Sequence, residues 1–124
     1  MANEKSLLEA IANIETDVNG VIATAAVDLE SGMTLASKSN RGDFDLAVAS
    51  AYNSELVKQK LKIMRALNLK VALEDMLLTL TDQIHLIKLL PGGTSFLYLA
   101  ADRGATNLAI LRNAVNKHCA SLTA

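Results

Sequence analysis

Aromatic residues are nearly absent from this sequence, which has two Tyr, two Phe and no Trp among 124 residues. Proline and cysteine each occur once. The single cysteine, Cys119, excludes an internal disulfide and is typical of a chain that works in a reducing compartment. Hydrophobic residues nevertheless make up 51% of the sequence. We therefore expect an interior that is packed from aliphatic side chains.

An excess of charge of either sign is also missing, because the formal net charge is only -1. Such a chain has no long-range field to attract nucleic acid or an anionic membrane. The N-terminus lacks the basic region and apolar core of a signal peptide, and no apolar run approaches the roughly 18 residues of a transmembrane helix. We expect a single domain over residues 1–124 in a cytoplasmic protein, with neither nucleic-acid binding nor membrane insertion.

Catalytic and cofactor motifs are missing as well. Gly92 and Gly93 lack the Gly-Lys-Ser/Thr ending of a phosphate-binding loop, so they predict a turn rather than a GTP site. His118 and Cys119 are sequence neighbours with no third ligand or base at a suitable spacing. His85 falls within a predicted strand, which favours a packed or surface histidine over a base. The sequence predicts no catalytic residue, no metal site and no cofactor, and therefore no enzyme.

Hydrophobic periodicity predicts a helix, two strands, a helix, three strands and a helix. The segments are a helix around 7–18, strands 21–27 and 34–39, a helix to about residue 67, strands near 73–81, 83–90 and 95–102, and a helix over 106–122. Ser6 and Glu9 are spaced as a capping box for the first helix. Either Asp43 or Asp45 can cap the middle helix. Connections of hairpin length make the strand groups antiparallel.

The middle helix has an apolar arc about 180° wide, well beyond the roughly 100° that covers one sheet. The arc consists of two stripes, which are Ala49, Leu56, Ile63 and Leu67, and Val57, Leu61 and Met64. Asn53 and Lys60 lie inside it. One interpretation is that the arc is wide by chance and the aliphatic part of Lys60 covers it. The other, which we favour, is that a second copy of the helix packs there antiparallel, with Asn53 and Lys60 fixing the register.

The strand around 76–80 also lacks protection, because Thr79 is its only polar residue. An edge strand normally carries Lys, Pro or a bulge, as strand 34–39 does with Lys38. If strand 76–80 is an edge, it predicts pairing with a second copy across a two-fold axis. If it lies centrally, it needs no protection. Together the helix and the strand predict a dimer or partner interface formed by Tyr52, Asn53, Leu56, Val57, Lys60, Leu61, Met64, Met76, Leu78 and Leu80.

A basic cluster of Lys58, Lys62 and Arg65 lies on another side of the middle helix. It is either a solvated face or a docking surface for an acidic partner, since such charges chiefly set specificity and association rate.

The order of elements and three segments resemble the Roadblock / dynein light chain 7 family. The segments cover residues 20–28, 73–88 and 96–109, and the resemblance extends from about Leu7 to Leu122. It implies an α+β, three-layer α/β/α domain of the profilin-like Roadblock type. The five-stranded antiparallel sheet has the order 2-1-5-4-3, with the long middle helix on one face and the N- and C-terminal helices on the other. Strand 76–80 is then an edge.

The same resemblance implies a function. Members of the family form homodimers or heterodimers through that edge and through their middle helices. They regulate or scaffold small Ras-like GTPases or link cargo to dynein, and bacterial single-domain members are similar to a gliding-motility protein that activates its Ras-like GTPase. We expect a homodimeric binding module for a small Ras-like GTPase. The alternative is a scaffold or light-chain-like adaptor without effect on GTP hydrolysis.

Overall fold

The computed structural model describes residues 3–122, which form three helices and five strands. In chain order these are α1 (Glu4–Asp17), β1 (Val21–Asp28), β2 (Thr34–Ser39), α2 (Leu46–Ala66), β3 (Asp75–Thr79), β4 (Gln83–Leu89), β5 (Ser95–Asp102) and α3 (Leu108–Cys119). The predicted succession of element types is therefore confirmed.

The strands form one sheet with the order β2-β1-β5-β4-β3, and all neighbours are antiparallel. The last strand in sequence, β5, lies at the centre between β1 and β4. The predicted order is confirmed, and β3 is an edge strand rather than a central one.

Helices cover both faces of the sheet, because its inner strands are apolar on both. Residues 95–101 of β5 are buried without interruption, which is the pattern of a strand that is covered twice. On one face Leu97 and Leu99 join a core with α1 and α3. On the other, Phe96 and Tyr98 join a core with α2. This is the predicted three-layer arrangement.

Each helix begins at a side-chain cap. Asn3 caps α1 in a reciprocal box with Ser6, whose backbone N–H lies 2.8 Å from Asn3 Oδ1. The capping box expected from Ser6 and Glu9 is therefore wrong by one turn, because Ser6 is the acceptor inside the helix rather than the cap. Asp45, not Asp43, caps α2 by accepting from the Val48 N–H at 3.1 Å.

Several predicted boundaries are too generous. Strand β3 is shorter than the predicted 73–81, since Leu80 already donates its N–H to the Gln83 carbonyl as the chain turns. Leu73 lies before the strand and packs against the core on the α2 side. Helix α3 begins at Leu108 rather than Thr106 because Asn107 is its cap.

One hydroxyl in the core lacks a partner. Thr24 in β1 is fully buried, and its Oγ1 has no hydrogen-bond partner within residues 3–122. A buried polar group without a partner costs about 1–3 kcal/mol, and an apolar group of the same shape avoids that cost.

We therefore predict that Thr24→Val raises the free energy of unfolding by about 1 kcal/mol, measured by urea denaturation. Thr16→Val is the matched control, because the Thr16 hydroxyl is exposed and already donates to the Ala12 carbonyl. A gain in the control but not at Thr24 would contradict the assignment of the hydroxyl as unsatisfied.

Candidate partner-binding surface

One face of α2 belongs to the core of the chain. Its buried residues are Leu46, Ser50, Ser54, Val57 and Met64. Two of them are serines, which allow the helix to approach the β1–β2 hairpin and hydrogen-bond to it. The Ser54 hydroxyl donates to the Leu29 carbonyl, and the Thr34 hydroxyl lies 3.1 Å from Ser50 Oγ.

The neighbouring face of α2 is an exposed apolar stripe, which we name the α2 stripe. Its members are Tyr52, Leu56, Ile63 and Leu67, with exposed fractions of 75%, 37%, 40% and 64%. Ordinary surface hydrophobics occur singly, whereas a contiguous apolar strip on one helix face is typical of an interaction site. Leu56, Ile63 and Leu67 belong to one of the two stripes in the predicted arc, whose fourth member, Ala49, is instead half-buried and packs against the core on the α2 side.

The other stripe packs on the sheet, which corrects part of the predicted interface. Val57 is 0% exposed and Met64 is buried, so both side chains contribute to the core of a single chain. Leu61 is half-buried and packs against the same core. Lys60 is exposed.

The β3 edge adds a second apolar element. Met76 and Leu78 are half-buried on the α2 side, and Leu80 is exposed just beyond the strand. Leu77 points to the opposite face and packs against the α1/α3 core. Between residues 75 and 79, β3 carries no Lys, Pro or bulge of the kind that protects an edge.

A cleft of about 630 Å³ lies between the end of α2 and the start of β3. It is lined by Lys60, Met64, Leu69, Val71, Ala72, Leu73, Glu74 and Asp75. Leu69 and Val71 are exposed apolar residues in the connection between the two elements. The cleft therefore connects the C-terminal half of α2 to the first residue of β3. We call the α2 stripe, the cleft and the β3 edge together the edge surface.

Four of these apolar residues were missed as site residues. Ile63 and Leu67 were within the predicted arc but were not assigned to the interface. Leu69 and Val71 follow the helix, where periodicity gives no orientation. The sequence does carry a signal for Leu69 and Val71, since they are apolar residues that lie between the end of a helix and the start of the next strand.

A chain of polar side chains lies beneath the first half of α2. The Gln83 side-chain oxygen accepts from His85 Nε2 at 2.7 Å, and the Tyr98 hydroxyl donates to His85 Nδ1 at 3.1 Å. Burial raises the pKa of Tyr98 to about 12, and a hydrogen bond with the Asn53 side chain works against that shift. Asn53 is half-buried.

Of the three residues in the basic cluster, Lys58 is already bound to other groups of the chain. Lys58 Nζ donates to the Glu30 carbonyl at 2.7 Å and lies 3.5 Å from a Glu55 carboxylate oxygen, which ties it to the β1–β2 turn. Lys62 and Arg65 are exposed and form no ion pair with any residue of the range 3–122.

Three further features bear on other kinds of site: possible metal ligands, the single cysteine and the apolar character of the helices. Across residues 3–122 there is no group of three or more His, Cys, Asp or Glu that is placed to hold a metal ion. Burial raises the pKa of the Cys119 thiol to about 11, which leaves it inert at neutral pH. In the same part of the chain, no helix combines the length and the apolar character needed to cross a membrane.

The sheet order and helix placement define the fold as that of the Roadblock/LC7 domain, as the sequence resemblance predicts. No family model matches the sequence, and no curated protein matches it significantly. The likeness therefore rests on three-dimensional structure.

Solved structures with this fold come from several bacteria. Myxococcus xanthus MglB superposes with a TM-score of 0.82 at 15% identity, over 99% of this chain and 90% of that chain. A Roadblock/LC7 domain from Streptomyces avermitilis gives 0.77 at 13% identity, over 89% and 88%. The gliding protein MglB from Thermus thermophilus gives 0.75 at 12% identity, over 98% and 94%.

The hydrogen-bonded side chains of Gln83, His85 and Tyr98 under α2 predict a loss of folding stability in mild acid. Burial lowers the pKa of His85 below its ordinary 6.5, and the carboxylate of Asp82 opposes this shift. The unfolded chain therefore binds a proton more readily than the folded one, and this contribution to stability is lost as the pH falls below about 6.5.

We expect the melting temperature of the wild type to fall between about pH 7.5 and pH 5.5, and the fall to be smaller in His85→Gln. Scanning calorimetry at both pH values measures the difference. His118→Gln is the control because it removes the other histidine. An equal fall in wild type and His85→Gln would contradict this role for His85.

Proposed function

We propose that the protein is a homodimeric binding module that regulates a small Ras-like GTPase. The observation that carries the proposal is the edge surface, an apolar strip that runs from α2 across the cleft to an open strand, on a Roadblock/LC7 fold. A surface of this kind is built to be covered by another protein.

Self-association is the first part of the proposal. An open strand adds strands from another chain through its free backbone groups, and a two-fold axis closes such an assembly because each copy covers the other. The α2 stripe lies on the same side of the sheet as Met76 and Leu78, so one partner covers helix and strand together. A solved structure described as MglB with a tetrameric arrangement has the same fold, with a TM-score of 0.81, and accords with self-association.

Regulation of a GTPase is the second part. It is supported by the fold, since solved MglB structures share it at TM-scores of 0.75 to 0.82, and by the function that the Roadblock resemblance implies. The chain has no P-loop sequence of its own, so the nucleotide belongs to the partner. Activation of that partner, rather than inhibition or simple attachment, is the form of regulation that we propose.

The basic residues Lys62 and Arg65 suit the docking of an acidic partner. They are exposed, free of ion pairs within residues 3–122, and separate from the α2 stripe. Lys58 contributes less because its ammonium is already bound to Glu30.

We predict that Ile63→Glu weakens self-association at least about tenfold, because a carboxylate must be desolvated at an apolar contact. Sedimentation over a concentration series measures the dimer constant. Ala47→Glu is the matched control, since it places the same charge on an exposed position of α2 outside the α2 stripe. Equal effects of the two substitutions would contradict the assignment of the interface.

Affinity capture from the native cytosol, with GTP analogue or GDP added, tests the GTPase. We expect a Ras-like GTPase to be enriched in one nucleotide state, and its hydrolysis of GTP to accelerate when the purified proteins are mixed. Equal capture in both states without a change in hydrolysis would instead identify a scaffold or adaptor.

For the captured partner, we expect the double variant Lys62→Glu/Arg65→Glu to bind with an association rate about tenfold lower at low salt. Stopped-flow mixing measures the rate, and the sedimentation of the variant must match the wild type. An unchanged rate would show that these two residues serve only solvation.

A further inference from the structure

The turn between α1 and β1 holds the single Asn-Gly pair of the sequence, Asn19–Gly20. Asn19 is exposed, and within residues 3–122 neither its side chain nor the Gly20 N–H takes part in a hydrogen bond. Gly20 has a φ of +83°, a backbone conformation that favours glycine. A side-chain amide and the backbone nitrogen that follows it are thus both unengaged, at a surface position that water reaches.

These two groups are the reactants of a known reaction of Asn-Gly pairs. The Gly20 nitrogen loses its proton to hydroxide and forms a bond to Asn19 Cγ, and the side-chain nitrogen takes a proton from water and leaves as ammonia. The cyclic succinimide that results then takes up one water molecule. Hydrolysis of one of its carbonyls gives aspartate, and hydrolysis of the other gives isoaspartate. Glycine favours ring closure because it has no Cβ to hinder the approach.

Thr106 activates the nucleophile of this reaction. Its hydroxyl donates to the Asn19 carbonyl at 2.8 Å, and this carbonyl belongs to the same amide group as the Gly20 nitrogen. When that nitrogen loses its proton, negative charge spreads onto the carbonyl oxygen. A donor that already points at the oxygen stabilises the charge as it develops. The hydrogen bond that holds the turn therefore also favours the reactive form of the Gly20 nitrogen.

Asn40 shows the opposite arrangement, although it too lies exposed in a connection between elements. Its side-chain nitrogen donates to the Val21 carbonyl at 3.0 Å. The N–H of the following residue, Arg41, donates to Ser39 Oγ at 3.3 Å. Both reacting groups are therefore engaged at Asn40. Exposure does not distinguish the two asparagines, whereas the state of their amide groups does.

The fold has no room for the isoaspartyl product. In this product one methylene is inserted between Asn19 Cα and the carbonyl that links it to Gly20. Gly20 cannot shift freely, because even a Cβ built on it would lie 2.8 Å from Thr106 Oγ1 and 2.9 Å from Ala105 Cβ. Its own carbonyl accepts from the Asp102 N–H at 2.8 Å. The longer chain must break one of these contacts, and they join the end of α1 to the segment that leads into α3.

We propose that Asn19–Gly20 is a site of self-modification. In the folded protein, the Thr106 hydroxyl promotes the conversion of Asn19 to aspartate and isoaspartate, and the isoaspartyl form weakens the joint between α1 and α3. The reactants are the chain itself and water, so the site does not depend on the proposed GTPase function. Release of ammonia drives the reaction in one direction, and the converted fraction therefore increases with the age of the molecule.

Peptide mapping of the folded protein tests the site. The protein is incubated at mildly alkaline pH and digested with trypsin, and tandem mass spectrometry locates the gain in mass within peptide 6–38. Methylation by protein isoaspartyl methyltransferase identifies the isoaspartyl product. We expect conversion at Asn19 to be at least about tenfold faster than at Asn40. Conversion of the chain in denaturing urea but not in the folded state would overturn the proposal.

Arg41→Gly is the matched control for sequence, because it creates a second Asn-Gly pair whose amide groups are engaged. We expect Asn40 of this variant to convert about fivefold more slowly than Asn19 in the same folded molecule. In denaturing urea the two rates should agree. Equal rates in the folded molecule would overturn the promoting effect of the fold.

Thr106→Val tests the activating hydroxyl, since it removes the donor and keeps the shape of the side chain. We expect conversion at Asn19 to slow about fivefold in the folded protein, the effect of one hydrogen bond on a barrier. Thr106→Ser should restore the rate, and in urea all three proteins should convert alike. A folded-state rate of Thr106→Val equal to or above that of the wild type would overturn the role of Thr106.

Asn19→Asp separates the effect of charge from that of the altered main chain. It carries the same new carboxylate beyond the end of α1, where the helix dipole disfavours negative charge, but its backbone is normal. We expect the isoaspartyl fraction, isolated by chromatography from aged protein, to melt at least about 4 °C below Asn19→Asp. Equal melting temperatures would overturn the structural consequence.

Discussion

A sheet whose inner strands are apolar on both faces can exist in water only between two layers of helix, and the rest of this structure depends on that constraint. Strand β5 meets it most fully, since residues 95–101 are all buried. Helices α1 and α3 cover one face and α2 covers the other. Cover is incomplete at β3, where the apolar residues Met76 and Leu78 remain half-buried at the open edge. The candidate interface thus lies where the helices of one chain leave apolar side chains of the sheet partly exposed. This links the fold directly to the proposed binding role.

Much of this architecture could be predicted from the sequence, because periodicity and turn residues act locally. Strands β2 and β5 begin and end where the pattern places them. The cap of α1 could not be located, since Asn3 and Ser6 are both good cap residues and only the backbone geometry shows which one stands outside the helix. Strand β3 is shorter than its apolar run because Leu73 and Leu80 are apolar for other reasons: one packs under α2, and the other ends the strand.

The candidate site could be predicted only in outline. The width of the apolar arc on α2 indicates a second contact, but helical periodicity does not state which stripe faces the sheet. That choice depends on the β1–β2 hairpin, whose Leu29 carbonyl and Thr34 hydroxyl engage Ser54 and Ser50. The rotation that buries these serines also buries Val57 and leaves Tyr52 and Ile63 outside. Long-range hydrogen bonds of this kind leave no trace in a local pattern.

The central position of β5 has a consequence for how the chain is made. It is the last strand to leave the ribosome, yet both β1 and β4 pair with it. Until residues 95–102 emerge, the nascent chain holds two separate hairpins, β1–β2 and β3–β4, and the strand edges of β1 and β4 that later pair with β5 are both open. Pairing between β1 and β5 bridges a long stretch of sequence, which makes it slow to form. The incomplete chain is therefore at its most aggregation-prone late in synthesis, and the pairing of β5 joins the two hairpins into one sheet whose edge strands are β2 and β3.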